Sequence, residues 1–89
     1  MPIESFKQLK VWQKSIELVK EIYQVTNQLP KPELYGLSSQ MRRAAVSIAS
    51  NIAEGYKRKN RGEYLQFLNI ANASTAELET QIIIVKEIY

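Results

Sequence analysis

From Leu9 onward, apolar residues return every three or four positions: Leu9, Trp12, Ile16, Val19 and Tyr23, with Ser15, Leu18, Ile22 and Val25 widening the face. Lys10, Lys14, Glu17, Lys20, Glu21 and Gln24 fill the opposite side. That spacing is the period of an amphipathic helix and predicts one over about residues 5–28. Ser5 is its candidate cap, and Trp12 and Tyr23 read as core packing. Leu29-Pro30-Lys31-Pro32 stops the pattern, because neither proline donates a backbone hydrogen bond and both restrict the residue before them.

A second pattern, over about residues 39–55, places Met41, Ala45, Ile48 and Ile52 on one seam. Ala44, Ala49 and Ala53 lie beside it, small enough to let a neighbouring helix come close. Ser38 or Ser39 is expected to cap this helix, and Gly55 to end it in a left-handed conformation. The third pattern, about residues 61–89, opens on Asn60-Arg61-Gly62-Glu63, which fits a capping box. Tyr64, Phe67, Leu68, Ala71, Thr75, Leu78, Ile82, Val85 and Tyr89 then recur to the last residue, with Ile83 and Ile84 on the flank. No stop signal follows them.

These elements predict an all-α, single-domain chain over residues 1–89. Three helices with faces this broad cannot cover one another as an isolated slab. A fourth helix or a neighbouring subunit is therefore expected to close the bundle.

Composition then removes whole classes of chemistry. The chain has neither cysteine nor histidine, so it lacks disulfides, thiolate metal sites and the commonest general base. Neither a cofactor, a metal nor a small-molecule substrate is expected. No apolar signal core opens the chain and no run is long enough to span a membrane, which reads as cytoplasmic. Twelve Lys and Arg against nine Asp and Glu leave a net charge of +3, compatible with a nucleic-acid partner without requiring one.

Two features carry what function can be read from residues. Ser47, Asn51 and Glu54 share one arc of the second helix with Arg43 and Ser50, away from the Met41 seam. Ser74, Glu77 and Gln81 lie along one edge of the third. Pairings such as Arg43 with Glu77, or Asn51 with Ser74, would hold the two helices in register. As an active site the stripe is poor, since Ser47 and Glu54 lack a base partner and an oxyanion hole; the chain reads as non-enzymatic. The second feature is Tyr56 followed by Lys57, Arg58, Lys59 and Arg61. The cations suit phosphates and Tyr56 suits a base, although a basic loop also complements a helix end. Arg42 and Arg43 occupy early turns where the helix dipole disfavours positive charge. They call for partners: Glu77 or Glu79 within the chain, or an external phosphate.

The segments "VWQKSIELVKEIYQ", "LPKPELYGLSSQMRRAAVSIASNIAEG" and "EYLQFLNIANASTAELETQ" resemble the four helix bundle proteins that include those encoded in intervening sequences of bacterial 23S rRNA genes. They are also similar to the accessory protein of diversity-generating retroelements. The matched positions are Gln40, Arg43, Ala44, Ser47, Asn51, Glu54, Gly55, Glu63, Phe67, Ala71, Ser74, Glu77 and Glu79. The resemblance implies an antiparallel up-down bundle that assembles into a ring, with pentamers among relatives. It also implies a fourth helix after the third, so a chain of this length reads as C-terminally truncated. Its polar members Gln40, Arg43, Ser47, Asn51, Glu54, Ser74, Glu77 and Glu79 form the expected structural network. The implied partners are further copies of the chain and RNA or DNA, or a reverse transcriptase that the protein serves as accessory subunit. A purely structural assembly is the alternative.

Overall fold

The computed structural model describes residues 5–89. Three α-helices carry the fold: α1, Lys10–Asn27; α2, Leu37–Tyr56; and α3, Arg61–Ile88. Short 3-10 turns span Phe6–Gln8 and Lys31–Glu33, and no strand occurs among the described residues. The elements are those the periodicity predicts, with three boundaries displaced for identifiable reasons.

The first helix begins at Lys10 and not near Ser5. Ser5 does cap, but it caps the 3-10 turn: its Oγ accepts from the Lys7 amide and Gln8 returns a bond to the Ser5 amide. Leu9 then adopts an extended conformation, which lets Phe6 fold back edge-on to Trp12 with ring centroids 5.3 Å apart. Gln13 Nε2 donates to the Lys7 carbonyl across this break.

The second helix starts earlier than expected, with Gly36 at its N-cap and no side chain capping its first amides. Ser38, expected to cap, is instead buried and reaches the Thr26 carbonyl of α1 at 3.5 Å. At the other end Gly55 is not left-handed; no residue of the described chain has positive φ. The helix closes through short-range bonds from the Lys57 amide to the Glu54 carbonyl and from the Arg58 amide to the Gly55 carbonyl, the tightened last turn that needs no left-handed residue. Gly55 is buried inside α2. A methyl group there would lie 3.1 Å from Phe67 Cβ and 3.4 Å from the Tyr64 carbonyl oxygen of α3, so the glycine serves helix contact and not chain reversal.

The start of α3 keeps one half of the expected capping box, since Glu63 makes no return bond to the Asn60 amide among the described residues. Asn60 Oδ1 accepts from the Glu63 amide at 2.8 Å.

The three helices run antiparallel in sequence. Arg42, early in α2, meets Thr26 and Asn27 at the end of α1, and Ser74 of α3 meets Ser47 of α2. Because α2 is the small-residue helix, it takes the middle place: α1 and α3 each pack against it and do not come close to each other. Ala44, Ala45 and Ala49 are buried with Met41, Ile48 and Ile52 of the predicted seam. Ile22, Ala71 and Leu78 complete the core, with Trp12, Leu18, Val19, Ile82 and Val85 packed at its margin. Burial of each large aliphatic side chain contributes about 1.5–3 kcal/mol. Tyr23 departs from its expected core place and is exposed. Between α1 and α3, Leu18, Ile22, Val25, Ile82 and Val85 line an open groove of about 300 Å³ floored by Met41. Ile83, Ile84 and Ile88 face outward on α3, which is thus apolar on more than one side. No described helix is long and apolar enough to cross a membrane.

Candidate nucleic-acid interface

The antiparallel arrangement puts charge at both ends of the bundle. At one end α2 passes into α3 through Lys57, Arg58, Lys59 and Asn60, all exposed, with Arg61 opening α3. Two of these cations are held in place by rings. Arg58 stands over Phe67 with its guanidinium carbon 4.4 Å from the centroid, and Lys57 Nζ lies 5.9 Å from the centre of Phe6. Such contacts orient a cation without neutralising it. Among the described residues none of the four basic side chains has a carboxylate within ion-pair distance; the one ion pair there is Lys20 with Glu17 on α1. Tyr56 is the last residue of α2 and is half-buried, so it does not project with the loop as a free stacking platform. The ring floor, Phe6 and Phe67, is not legible from the loop itself. Phe6 reaches it only because the chain breaks at Leu9.

The polar seam between α2 and α3 is smaller than the expected network. Asn51 Nδ2 donates to the Ser47 carbonyl at 2.8 Å and to Ser47 Oγ at 3.0 Å, and Ser74 Oγ donates to Ser47 Oγ at 2.9 Å. Asn51 thus reaches Ser74 through Ser47 and not directly. Arg43 and Glu77 do not pair; Glu77 instead accepts a long bond of 3.4 Å from Gln81 on its own helix. Gln40, Arg43, Glu54 and Glu79 are exposed and make no side-chain hydrogen bond among the described residues. The seam thus links α2 to α3 through one hydroxyl pair, Ser47 and Ser74. Gln81 is buried with its Oε1 lacking a hydrogen-bond partner among the described residues.

At the opposite end, Arg42 has partners that sequence reasoning does not name. Its Nε donates to Thr26 Oγ1 and one terminal nitrogen to Asn27 Oδ1, both at 2.8 Å, and its guanidinium stands 4.7 Å from the Tyr23 ring centre. Thr26 donates its own hydroxyl to the Ile22 carbonyl at 2.7 Å, leaving its oxygen free to accept. Neither Glu77 nor Glu79 is involved.

The seam of Ser47, Asn51 and Ser74, the close contact at Gly55 and the start of α3 at Asn60 all lie within one matched span. The family model of the 23S rRNA-intervening sequence protein matches residues 7–89. This chain belongs to that family. Among curated proteins, none matches it. In this member of the 23S rRNA-intervening sequence family, the matched span takes in all three α-helices and both charged ends. Neither end carries a group of three or more acidic residues able to hold a metal ion, among the described residues.

Proposed function

We propose that this protein is a non-enzymatic, self-associating helical-bundle scaffold that holds RNA at the Lys57–Arg61 end. The observation that carries the reading is the state of the four cations: exposed, without carboxylate partners among the described residues, and in two cases held in place on aromatic rings. Cations left to complement a helix end do not need that orientation. Cations that meet phosphates gain from it, since less side-chain entropy is lost on binding. The outward Ile83, Ile84 and Ile88 and the groove beside α1 support self-association, with a pentamer the form expected, acting in the cytoplasm. In such an assembly the basic ends recur at equivalent places and multiply a weak contact. A role as accessory subunit of a reverse transcriptase would use the same surface.

Mobility-shift titrations of a single-stranded RNA across a range of salt test this. Replacing Lys57, Arg58, Lys59 and Arg61 by Gln is expected to preserve helicity. It should weaken binding and flatten the salt slope by about 0.7 for each single-strand phosphate that is no longer neutralised. Equal binding by parent and variant at every salt concentration sinks the RNA grip. A parent that binds no nucleic acid leaves the scaffold alone.

A further inference from the structure

The other end of the bundle holds cations of a different kind. A cleft of about 450 Å³ opens there, and Arg42, Arg43, Tyr23, Tyr35, Ser39 and Leu34 line it. That volume is within the range of small-molecule sites. We propose that this cleft binds a nucleoside phosphate, with the phosphate on the arginine pair and the base against Tyr35.

Arg42 supplies the first argument. Thr26, Asn27 and the Tyr23 ring hold its guanidinium in place, yet all three are neutral. Thr26 is only 3% exposed and uses its hydrogen on the Ile22 carbonyl, so the anchor is rigid. A guanidinium has five N–H donors, and two are spent on Thr26 and Asn27. The remaining three stay available on a charge that no described carboxylate neutralises. Arg43, next in sequence, also lines the cleft and has no ion pair among the described residues. No side chain caps the first amides of α2. Two adjacent uncompensated arginines repel each other. An anion on the pair relieves that repulsion, and planar arginine forks match phosphate in geometry.

Tyr35 supplies the second argument. It is 92% exposed, in the turn between the Lys31–Glu33 segment and α2, and nothing in the core uses its ring. Leu34 and Val46, also exposed, continue an apolar wall beside it. A ring next to a phosphate site offers a stacking face to a base. Glu33, the nearest acid in the sequence, is not part of the lining and accepts from the Tyr89 hydroxyl. The cleft lies along α2 from the basic loop by the fifteen residues between Arg42 and Lys57, about 22 Å at the helical rise. It shares no residue with that loop, so the inference stands or falls independently of the proposed RNA grip.

The ligand chemistry has two sources, a free nucleotide or one nucleotide of a single strand, and one fluorophore reports both. The 5′-monophosphate of 2-aminopurine riboside, and a short single-stranded RNA carrying one 2-aminopurine, are titrated with the intact protein. The expected result is saturable quenching with one or both probes, reversed by inorganic phosphate, and at least about tenfold weaker with the unphosphorylated riboside. Arg43→Gln should weaken binding by about tenfold or more, as expected for a charge-assisted hydrogen bond. Tyr35→Ala should abolish most of the quenching. Both residues are exposed, and unchanged circular dichroism will confirm that the variants fold. Quenching by the mononucleotide assigns a free nucleotide; quenching only in the strand assigns a strand. Absence of saturable quenching with both probes overturns the inference. So does riboside binding equal to that of the monophosphate, or variants that bind within twofold of the parent.

Discussion

Replacing Gly55 by alanine opposes two effects of known size. In a helix interior alanine is favoured over glycine by about 0.8–1 kcal/mol, so at an open position the change stabilises. At Gly55 the new methyl would stand 3.1 Å from Phe67 Cβ and 3.4 Å from the Tyr64 carbonyl oxygen. Neither atom is the end of a flexible side chain. Both are fixed to the backbone of α3, so relief requires the two helices to part by a few tenths of an ångström. Overpacking of this kind costs about 1–3 kcal/mol. The difference leaves Gly55→Ala destabilising by up to about 2 kcal/mol, and a midpoint near 1 kcal/mol lowers the melting temperature by about 4–8 °C in a domain of this size.

Gly62 provides the control. It is exposed near the start of α3, and a methyl there meets only Asn60 Oδ1 at 3.4 Å. Gly62→Ala should therefore be neutral or stabilising. Gly55→Asn separates the close approach from a left-handed cap, because asparagine is tolerated in the left-handed region but is bulkier than alanine between two helices. Thermal melts followed by circular dichroism should rank the proteins Gly62→Ala at or above parent, then Gly55→Ala, then Gly55→Asn. A Gly55→Ala variant that melts above the parent, or a Gly55→Asn variant that melts above Gly55→Ala, refutes the close-contact account.

Two further outcomes follow from the polar contacts. Asn51→Ala removes the donor shared by the Ser47 carbonyl and hydroxyl and should cost about 1 kcal/mol in urea unfolding, whereas Glu54→Ala, at an exposed residue without a side-chain hydrogen bond among the described residues, should stay within about 0.5 kcal/mol; equal effects would mean that the seam is not where the register is held. The Tyr89 hydroxyl donates to the Glu33 carboxylate, and that bond, with burial and the carboxylate's charge, raises its pKa above the usual tyrosine value. A raised folded-state pKa means that this contribution is fully present below the unfolded tyrosine value and is lost as pH rises through the folded one. Spectrophotometric titration should show one of the five tyrosines ionising late, and Glu33→Gln should restore it; an unchanged curve in that variant would refute the contact.

The helices are legible because their apolar spacing is long and regular, and Met41, Ala45, Ile48 and Ile52 all fall on the buried seam. The departures share one cause: where a residue has two physical uses, spacing alone points to the local one. Gly55 ends an apolar run and is followed by cations, which looks like a left-handed cap, but it is needed for approach to Phe67. Ser38 stands where a cap is expected, yet burial against Thr26 claims it. Arg42 invites the acids of α3 as partners, although the antiparallel return of α2 along α1 brings it to Thr26 and Asn27 first. Spacing along one helix cannot show which neighbour lies across from it, so every contact between helices is harder to read than the helices themselves.

The same limit explains why assembly and binding are linked on the proposed reading. Leu78 and Val85 of α3 pack toward the core while Ile83, Ile84 and Ile88 face outward, and each aliphatic side chain left in water forgoes about 1.5–3 kcal/mol. A helix apolar on two sides is satisfied only by a second layer, and α1 does not supply it, since α2 holds the two apart. Self-association through that side would leave both charged ends accessible, because Lys57–Arg61 and Arg42–Arg43 lie at the poles of α2 and not along the outer flank of α3. Each added copy then brings one more set of oriented cations to the same pole. A single set meets few phosphates and binds weakly at physiological salt. Several sets, held at fixed spacing, act at a high effective concentration toward one strand. Variants that charge the flank, such as Ile84→Glu with Ile88→Glu, should therefore lower RNA affinity as well as particle mass, although they touch neither pole. Sedimentation and mobility shift on the same sample read both, and loss of assembly with RNA affinity unchanged would show that a single bundle suffices for the grip.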